Sequence, residues 1–198
     1  LSWVCSVAGG LAALDGPART RWPGGEATAI RDDYWAAFSA GDGWGPDQAI
    51  AEMLAVAPDQ TVITIDSGAH RILLSQQWRA KGPRQVLQST GLCTMGCALP
   101  LAMGVKHARP DAPVIGFMGD AGLEMVLGEL ATLRDLALPL VAVVFVDRSL
   151  ALIELKQRRS GLQNAGVDFG RTDFAALAHT FGGNGVTVRG AGEAGPAL

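Results

Sequence analysis

The stretch PVIGFMGDAGLEMVLGELATLRDLALPLVAVVFVDRS, residues 113–149, decides the fold. An apolar run, PVIGFM, stops at Gly119 and Asp120, as a buried strand does where it reaches solvent. Beyond the turn, Leu123, Val126, Leu127, Leu130, Leu133 and Leu136 recur at the spacing of one helix face, which predicts an amphipathic helix from Leu123 to Ala137. Pro139 ends it, and LVAVVFV follows, an almost unbroken run of the kind buried on both faces in parallel sheets, stopping at Asp147. Strand, turn, helix and strand follow one another with no hairpin signal.

The same order extends outward. Pro46 opens a helix PDQAIAEMLAVA, VITI reads as a strand ending at Asp66, and the turn SGAH follows. QVLQS is a second strand ending in the turn TGLCTMG, and GCALPLAMGVKHA is a helix that Pro100 is expected to kink. VTV near the end reads as a further strand. The predicted fold is α/β, a doubly wound parallel sheet with helices on both faces and ligand turns at the strand C-termini.

Composition agrees with a compact α/β protein: 198 residues, 48% hydrophobic, 18% charged, 26 glycines. A net charge of -3 with no Lys/Arg cluster argues against a nucleic-acid partner. Three cysteines, at 5, 93 and 97, make no CxxC pair and no even set, so neither a disulfide framework nor a zinc site is expected and a cytoplasmic location fits. No apolar run reaches the ~18 residues of a membrane span, and the opening LSWVCSVAGG lacks the basic start of a signal peptide. Without a starting Met, and with an end soon after VTV, both termini are expected to be internal to a longer polypeptide. Residues 1–45 are read as the tail of a preceding domain with a linker, LDGPARTRWPGGEAT forming a loop, and 46–198 as the main domain, truncated at its C-terminus.

In a parallel sheet the turns after the strands share one edge, which brings Asp66, Gly91, Asp120 and Asp147 together. A right-handed crossover puts Asp120 and Asp147 at equivalent ends of nearby strands, two carboxylates facing one point. Backbone N–H groups at Ala121 and Gly122 would suit phosphate oxygens, and magnesium suits a site with few protein oxygens plus phosphates. The plainer alternative is that Asp120 is an N-cap and Asp147 with Arg148 a solvated strand end, and spacing alone favours it. A literal GDG at Gly41, Asp42 and Gly43 has no strand before it and is read as a loop. No GxGxxG lies between a strand and a helix and no Walker lysine motif is present, which removes the main support for nicotinamide or nucleoside-triphosphate binding.

Four blocks in order tip the balance. TIDSGAH (64–70), STGLCTMGCALPLAMGV (89–105), GDAG with GELATL, LALPL, VAVVFV and an acid 27 residues after Asp120, and DFAALAHTFGG (173–183) resemble the thiamine-diphosphate enzymes of the acetohydroxyacid (acetolactate) synthase, pyruvate oxidase and pyruvate decarboxylase group. Departures stand beside the matches. Ala121 replaces the last glycine of GDG, Asp147 an asparagine, and Cys93 a glycine, so the site carries one more negative charge than the family pattern.

The resemblance implies thiamine diphosphate and Mg2+ as cofactors. Asp120 and Asp147 would hold the metal through side chains and Ser149 through its carbonyl. Ser67, Gly68, Ala69 and His70 would contact the diphosphate beside Gly119, Ala121 and Gly122, with His70 a candidate donor. Met95 would prop the cofactor between its rings, and the Cys93 backbone would accept from the aminopyrimidine. Leu150, Ala151 and Leu152 would lie along the cofactor, with Leu152 and Ile153 lining the substrate channel. His107 and His179 fall on helices and are read as structural.

No residue of this chain is assigned as catalytic, because the family's activating glutamate comes from a pyrimidine-binding domain, usually of another subunit, and nothing here resembles it. The resemblance thus implies a homo-oligomer, a 2-oxoacid substrate, and no turnover by this chain alone; it leaves room for FAD on a middle domain. The implied function is decarboxylation of a 2-oxoacid and carboligation. The alternatives are a decarboxylase or oxidase of the same superfamily, or a non-catalytic homologue serving as a binding subunit. Ferredoxin-linked oxidoreductases are disfavoured, since a cubane cluster takes four cysteines.

Overall fold

The computed structural model describes residues 6–13, 22, 24–38 and 43–198. Most of the expected loop at 14–28, Cys5, and Gly41 and Asp42 of the literal GDG lie outside the described residues. Two compact units are present, 1–37 and 38–198. The first holds helices α1 (Val7–Ala12) and α2 (Glu26–Ala37). The predicted loop therefore stops short of Glu26, which opens α2 with an acid in its first turn, where the helix dipole favours one.

In the second unit the order is α3 (Pro46–Val56), β1 (Val62–Ile65), α4 (Ala69–Gln77), β2 (Val86–Gln88), α5 (Ala98–Ala108), β3 (Val114–Gly119), α6 (Asp120–Glu124), α7 (Glu129–Asp135), β4 (Val141–Phe145), α8 (Ala151–Arg159), α9 (Phe174–Thr180) and α10 (Ala194–Ala197). The four strands form one parallel sheet in the order β2-β1-β3-β4. From β1 the chain moves one way to β2, then crosses back to β3 and on to β4. A right-handed crossover requires the connecting helix to change face when the direction reverses. It does: α4 packs with α3 on Ile63, Ile65, Ile115 and Phe117. On the other face α5, α6 and α7 pack on Met118, with Phe174, Leu177 and Phe181 of the α9 region beside them. The reversal lies between β1 and β3, whose C-terminal ends carry Asp66 and Asp120.

Period-2 alternation puts Ile115 and Phe117 on one face and Met118 on the other, and both faces are dry. Thr64 is the polar exception, and its hydroxyl donates to the Ala98 carbonyl (2.8 Å), tying β1 to the start of α5.

Four further sequence expectations need correction. The stretch 123–137 is two short helices, because Val126, Glu129 and Leu130 bond three residues back, to Leu123, Val126 and Leu127, and wind the chain tighter than an α-helix. Leu123, Leu130 and Leu133 still reach the core, whereas Leu136 is exposed. Pro100 does not kink α5: the helix starts at Ala98, so the ring sits in the first turn, where its missing N–H breaks no bond. β4 is an edge strand, half-buried rather than enclosed on both faces. VTV pairs with no strand among the described residues; Val188 packs against the core while Val186 is exposed. No helix among the described residues is long and apolar enough to cross a membrane.

Phe117 is fully buried in a central strand, touching Trp78 edge-on and Phe145 in a stack. Phe117→Ala is expected to cost about 3–5 kcal/mol in urea unfolding, the range for a large core ring left as a cavity.

Candidate functional site

Four turns meet above the reversal point. β1 ends on Asp66, which is wholly buried. Its carboxylate accepts the N–H groups of Gly96 (2.8 Å) and Cys97 (3.1 Å) and lies 3.4 Å from the Cys97 sulfur. Burial, and next the contact with Asp66, push the Cys97 thiol up, so it stays protonated. The same carboxylate presses on the turn after β3: a Cβ on Gly122 would lie 2.2 Å from Asp66 Oδ2. Asp66 thus fixes the turns at 93–97 and 120–122 together. Gly96, at φ +78°, adopts the left-handed conformation that a glycine takes without strain.

The turn after β3 is tied to the turn after β4. Asp120 is buried, and its Oδ1 accepts the Ala121 N–H (2.8 Å). Its Oδ2 accepts the N–H groups of Asp147 (3.1 Å) and Arg148 (2.7 Å). Two acids 27 residues apart are therefore joined through main-chain donors at one point. Arg148 holds φ +60°, the bend that turns both N–H groups inward. Asp147 Oδ1 accepts the Ser149 N–H (3.1 Å). Partial desolvation pushes the Asp147 carboxyl above the usual aspartate value; the Ser149 bond opposes this and the Asp120 charge adds to it. A cation between the two acids would relieve that repulsion.

His70, in the first turn of α4, is buried and stacks on Phe145 (centroids 5.5 Å apart). Burial lowers its pKa, partly offset by Asp66, so the ring is neutral at pH 7. Its Nε2 is buried without a hydrogen-bond partner, a state that costs free energy unless a ligand meets it. The ring fills the space beside Gly68, where a Cβ would come within 2.6 Å of Cε1.

One cleft takes in the residues that the resemblance assigned to cofactor and metal, Ser67 to His70, Cys93, Met95, Gly119 to Gly122, Asp147, and Ser149 to Leu152, with Ile153 at its wall, whereas Asp66 and Gly91 do not line it. The Cys93 carbonyl, expected to face an aminopyrimidine, accepts the Ser67 hydroxyl (2.5 Å) and keeps a second lone pair. Cys93 itself is exposed at φ +51°. His107 and His179 lie in the last turns of α5 and α9. Sequence reasoning placed Asp66 at the sheet edge but gave it no role, and it missed Glu154. That residue accepts from Ser149 Oγ (2.8 Å), Arg158 (2.5 Å) and Asn164 (2.9 Å), and the Ser149 bond holds its carboxyl below the usual glutamate value.

Residues 66–198 match the C-terminal TPP binding domain of the thiamine pyrophosphate enzymes. The chain belongs to that family. It is 31% identical over 143 residues to acetolactate synthase of Bacillus subtilis, covering 72% of this chain and 25% of that protein. Over 146 residues it is 34% identical to the acetolactate synthase large subunit of Parasynechococcus marenigrum (72% and 23%). Over 137 residues it is 34% identical to the isozyme 1 large subunit of Escherichia coli (67% and 24%). It thus spans about a quarter of the length of these relatives.

The residues present fit the cofactor of a TPP-binding domain. The described residues hold no group of three His, Cys, Asp or Glu side chains able to take a metal. Two carboxylates brought to neighbouring turns are donors of the kind magnesium takes beside phosphate oxygens and water. The orphaned His70 Nε2 would offer a polar contact, and the small residues of the 67–69 turn would allow close approach.

Two substitutions test this geometry. Gly122→Ala drives a methyl into the Asp66 carboxylate and is expected to cost about 1–3 kcal/mol, read as a lower Tm. Cys93→Gly removes a side chain from a left-handed residue and is expected to be neutral or to stabilise by up to about 1 kcal/mol; a loss of that size would show that the thiol, not the backbone, matters there.

Proposed function

We propose that this chain supplies the diphosphate- and magnesium-binding part of the active centre of a thiamine-diphosphate-dependent 2-oxoacid enzyme, most like acetolactate synthase. The observation that carries the reading is the capture of Asp120 by the main chain of Asp147 and Arg148, which brings the acids of the two strand ends to one point. Asp120 and Asp147 hold magnesium through carboxylate oxygens and Ser149 through its carbonyl. His70, kept neutral by burial, presents Nε2 to a diphosphate oxygen; it acts as a donor when the proton sits on that nitrogen. Ser67, Gly68 and Ala69, with Gly119, Ala121 and Gly122, let backbone approach the same oxygens.

Met95, half-buried in the cleft, props the cofactor, and Leu150, Ala151 and Leu152 exclude water beside it. When bound, the cofactor supplies the electron sink that decarboxylation of a 2-oxoacid and the following carbon–carbon bond formation require. The activating carboxylate and the pyrimidine-binding surface come from another subunit of a homo-oligomer in the cytoplasm, with residues 1–45 belonging to a preceding domain.

A second reading, a homologue that binds partners without cofactor, draws on Ala121 and Asp147 standing where the family pattern has glycine and asparagine. Calorimetry separates the two. Thiamine diphosphate is expected to bind the intact protein only with a divalent metal, because two carboxylates and a diphosphate cannot share a site unbridged. No binding with magnesium, or equal binding in excess chelator, defeats the proposal. Asp147→Asn removes a charge and leaves a carbonyl oxygen, so at fixed cofactor it is expected to need about tenfold more magnesium for half-saturation, the size of one charge-assisted contact. Superimposable titrations would show that Asp147 is no ligand.

A further inference from the structure

Ser149 offers the metal only a main-chain carbonyl, and a carbonyl in a turn points wherever the turn lets it. Two restraints set this one. The first is a short antiparallel bridge to Asp168, in which the Leu150 N–H donates to the Val167 carbonyl (2.9 Å) and the Phe169 N–H to the Arg148 carbonyl (3.2 Å). Those bonds flank Ser149, so its own N–H and C=O leave on the opposite edge, away from 167–169. The N–H shows that direction by donating to Asp147 Oδ1.

The second restraint is on the side chain. Ser149 Oγ donates to Glu154 Oε2, while Glu154 Oε1 is held by Arg158 one turn further along α8 and by Asn164 across the next turn. Gln157 clasps the following residue twice, through the N–H and the carbonyl of Ala165. Val167, in the same segment, is buried. Glu154 is therefore fixed from three sides although it lies near the surface.

The geometry points to Glu154 as a positioning residue for the metal: through Ser149 Oγ it sets the rotation of the Ser149 peptide and so aims that carbonyl at the ion. The inference rests on the proposed metal site and adds to it a residue that touches neither metal nor cofactor. Outer-shell partners of this kind change metal affinity by about 10–100-fold when removed.

The test titrates magnesium at fixed thiamine diphosphate in the intact protein, read by calorimetry, for wild type, Glu154→Ala, Glu154→Gln, Ser149→Ala and the Glu154→Ala/Ser149→Ala pair. Glu154→Ala is expected to raise the magnesium needed for half-saturation about tenfold, with cofactor affinity recovered once magnesium saturates. Glu154→Gln keeps an oxygen for the Ser149 hydroxyl and is expected to lose less. Ser149→Ala is expected to match Glu154→Ala, and the pair to be no worse than either alone.

Should Glu154→Ala fail to fold, Glu154→Gln and Ser149→Ala, which removes one hydroxyl, carry the comparison. Unchanged magnesium curves, or a pair whose effects multiply, overturn the inference. A wild-type protein that binds no cofactor with magnesium overturns the underlying reading and the inference with it, which sets that failure apart.

Discussion

The Asp66 carboxylate is the constraint on which the rest of the site depends. A carboxyl group with no solvent exposure is tolerated only where hydrogen bonds replace its water, and here the Gly96 and Cys97 N–H groups do so. Leaving such a buried group unsatisfied costs about 1–3 kcal/mol, enough to dictate the path of a loop. The chain from Cys93 to Cys97 must pass over the end of β1 to make them, which starts α5 at Ala98. The same oxygen bars a side chain at position 122. One buried carboxyl thus sets the relative positions of three turns, those at Asp66, at 93–97 and at 120–122.

The sheet was legible because its cause is local. VITI, PVIGFM and LVAVVFV are short apolar runs ending on Asp or Gly-Asp, and parallel order follows once no hairpin turn separates them. What failed was finer than periodicity can resolve. Six apolar residues at helical spacing between 123 and 136 describe one face whether the chain winds continuously or tightens at Met125 to Gly128. VTV has the composition of a strand, but a strand also needs a neighbour, which composition does not report.

Among the site residues the same division holds. Asp120 and Asp147 could be placed together because a fold rule sends strand ends to one edge. Glu154 could not, since its partners, Ser149, Arg158 and Asn164, meet only when the segment after α8 folds back on the 147–150 turn. The resemblance included Asp66 in the TIDSGAH block but implied no role for it, since its partners lie across the sheet edge.

The exchange of asparagine for aspartate at position 147 can now be weighed against this geometry. Asp120 is held by the main-chain N–H groups of residues 147 and 148, donors that do not change with the side chain at 147. The one bond the side chain itself makes, from the Ser149 N–H to Oδ1, needs only a carbonyl-type oxygen, which either residue has. The substitution therefore alters the charge of the site without altering the framework that builds it. Its energetic consequence falls on the Asp147 carboxyl, which is pushed upward by desolvation and by Asp120. A divalent cation held by the two acids would reverse the sign of that consequence. The departure from the family pattern thus changes the charge at the end of β4 and leaves the hydrogen-bonded framework of the two turns intact.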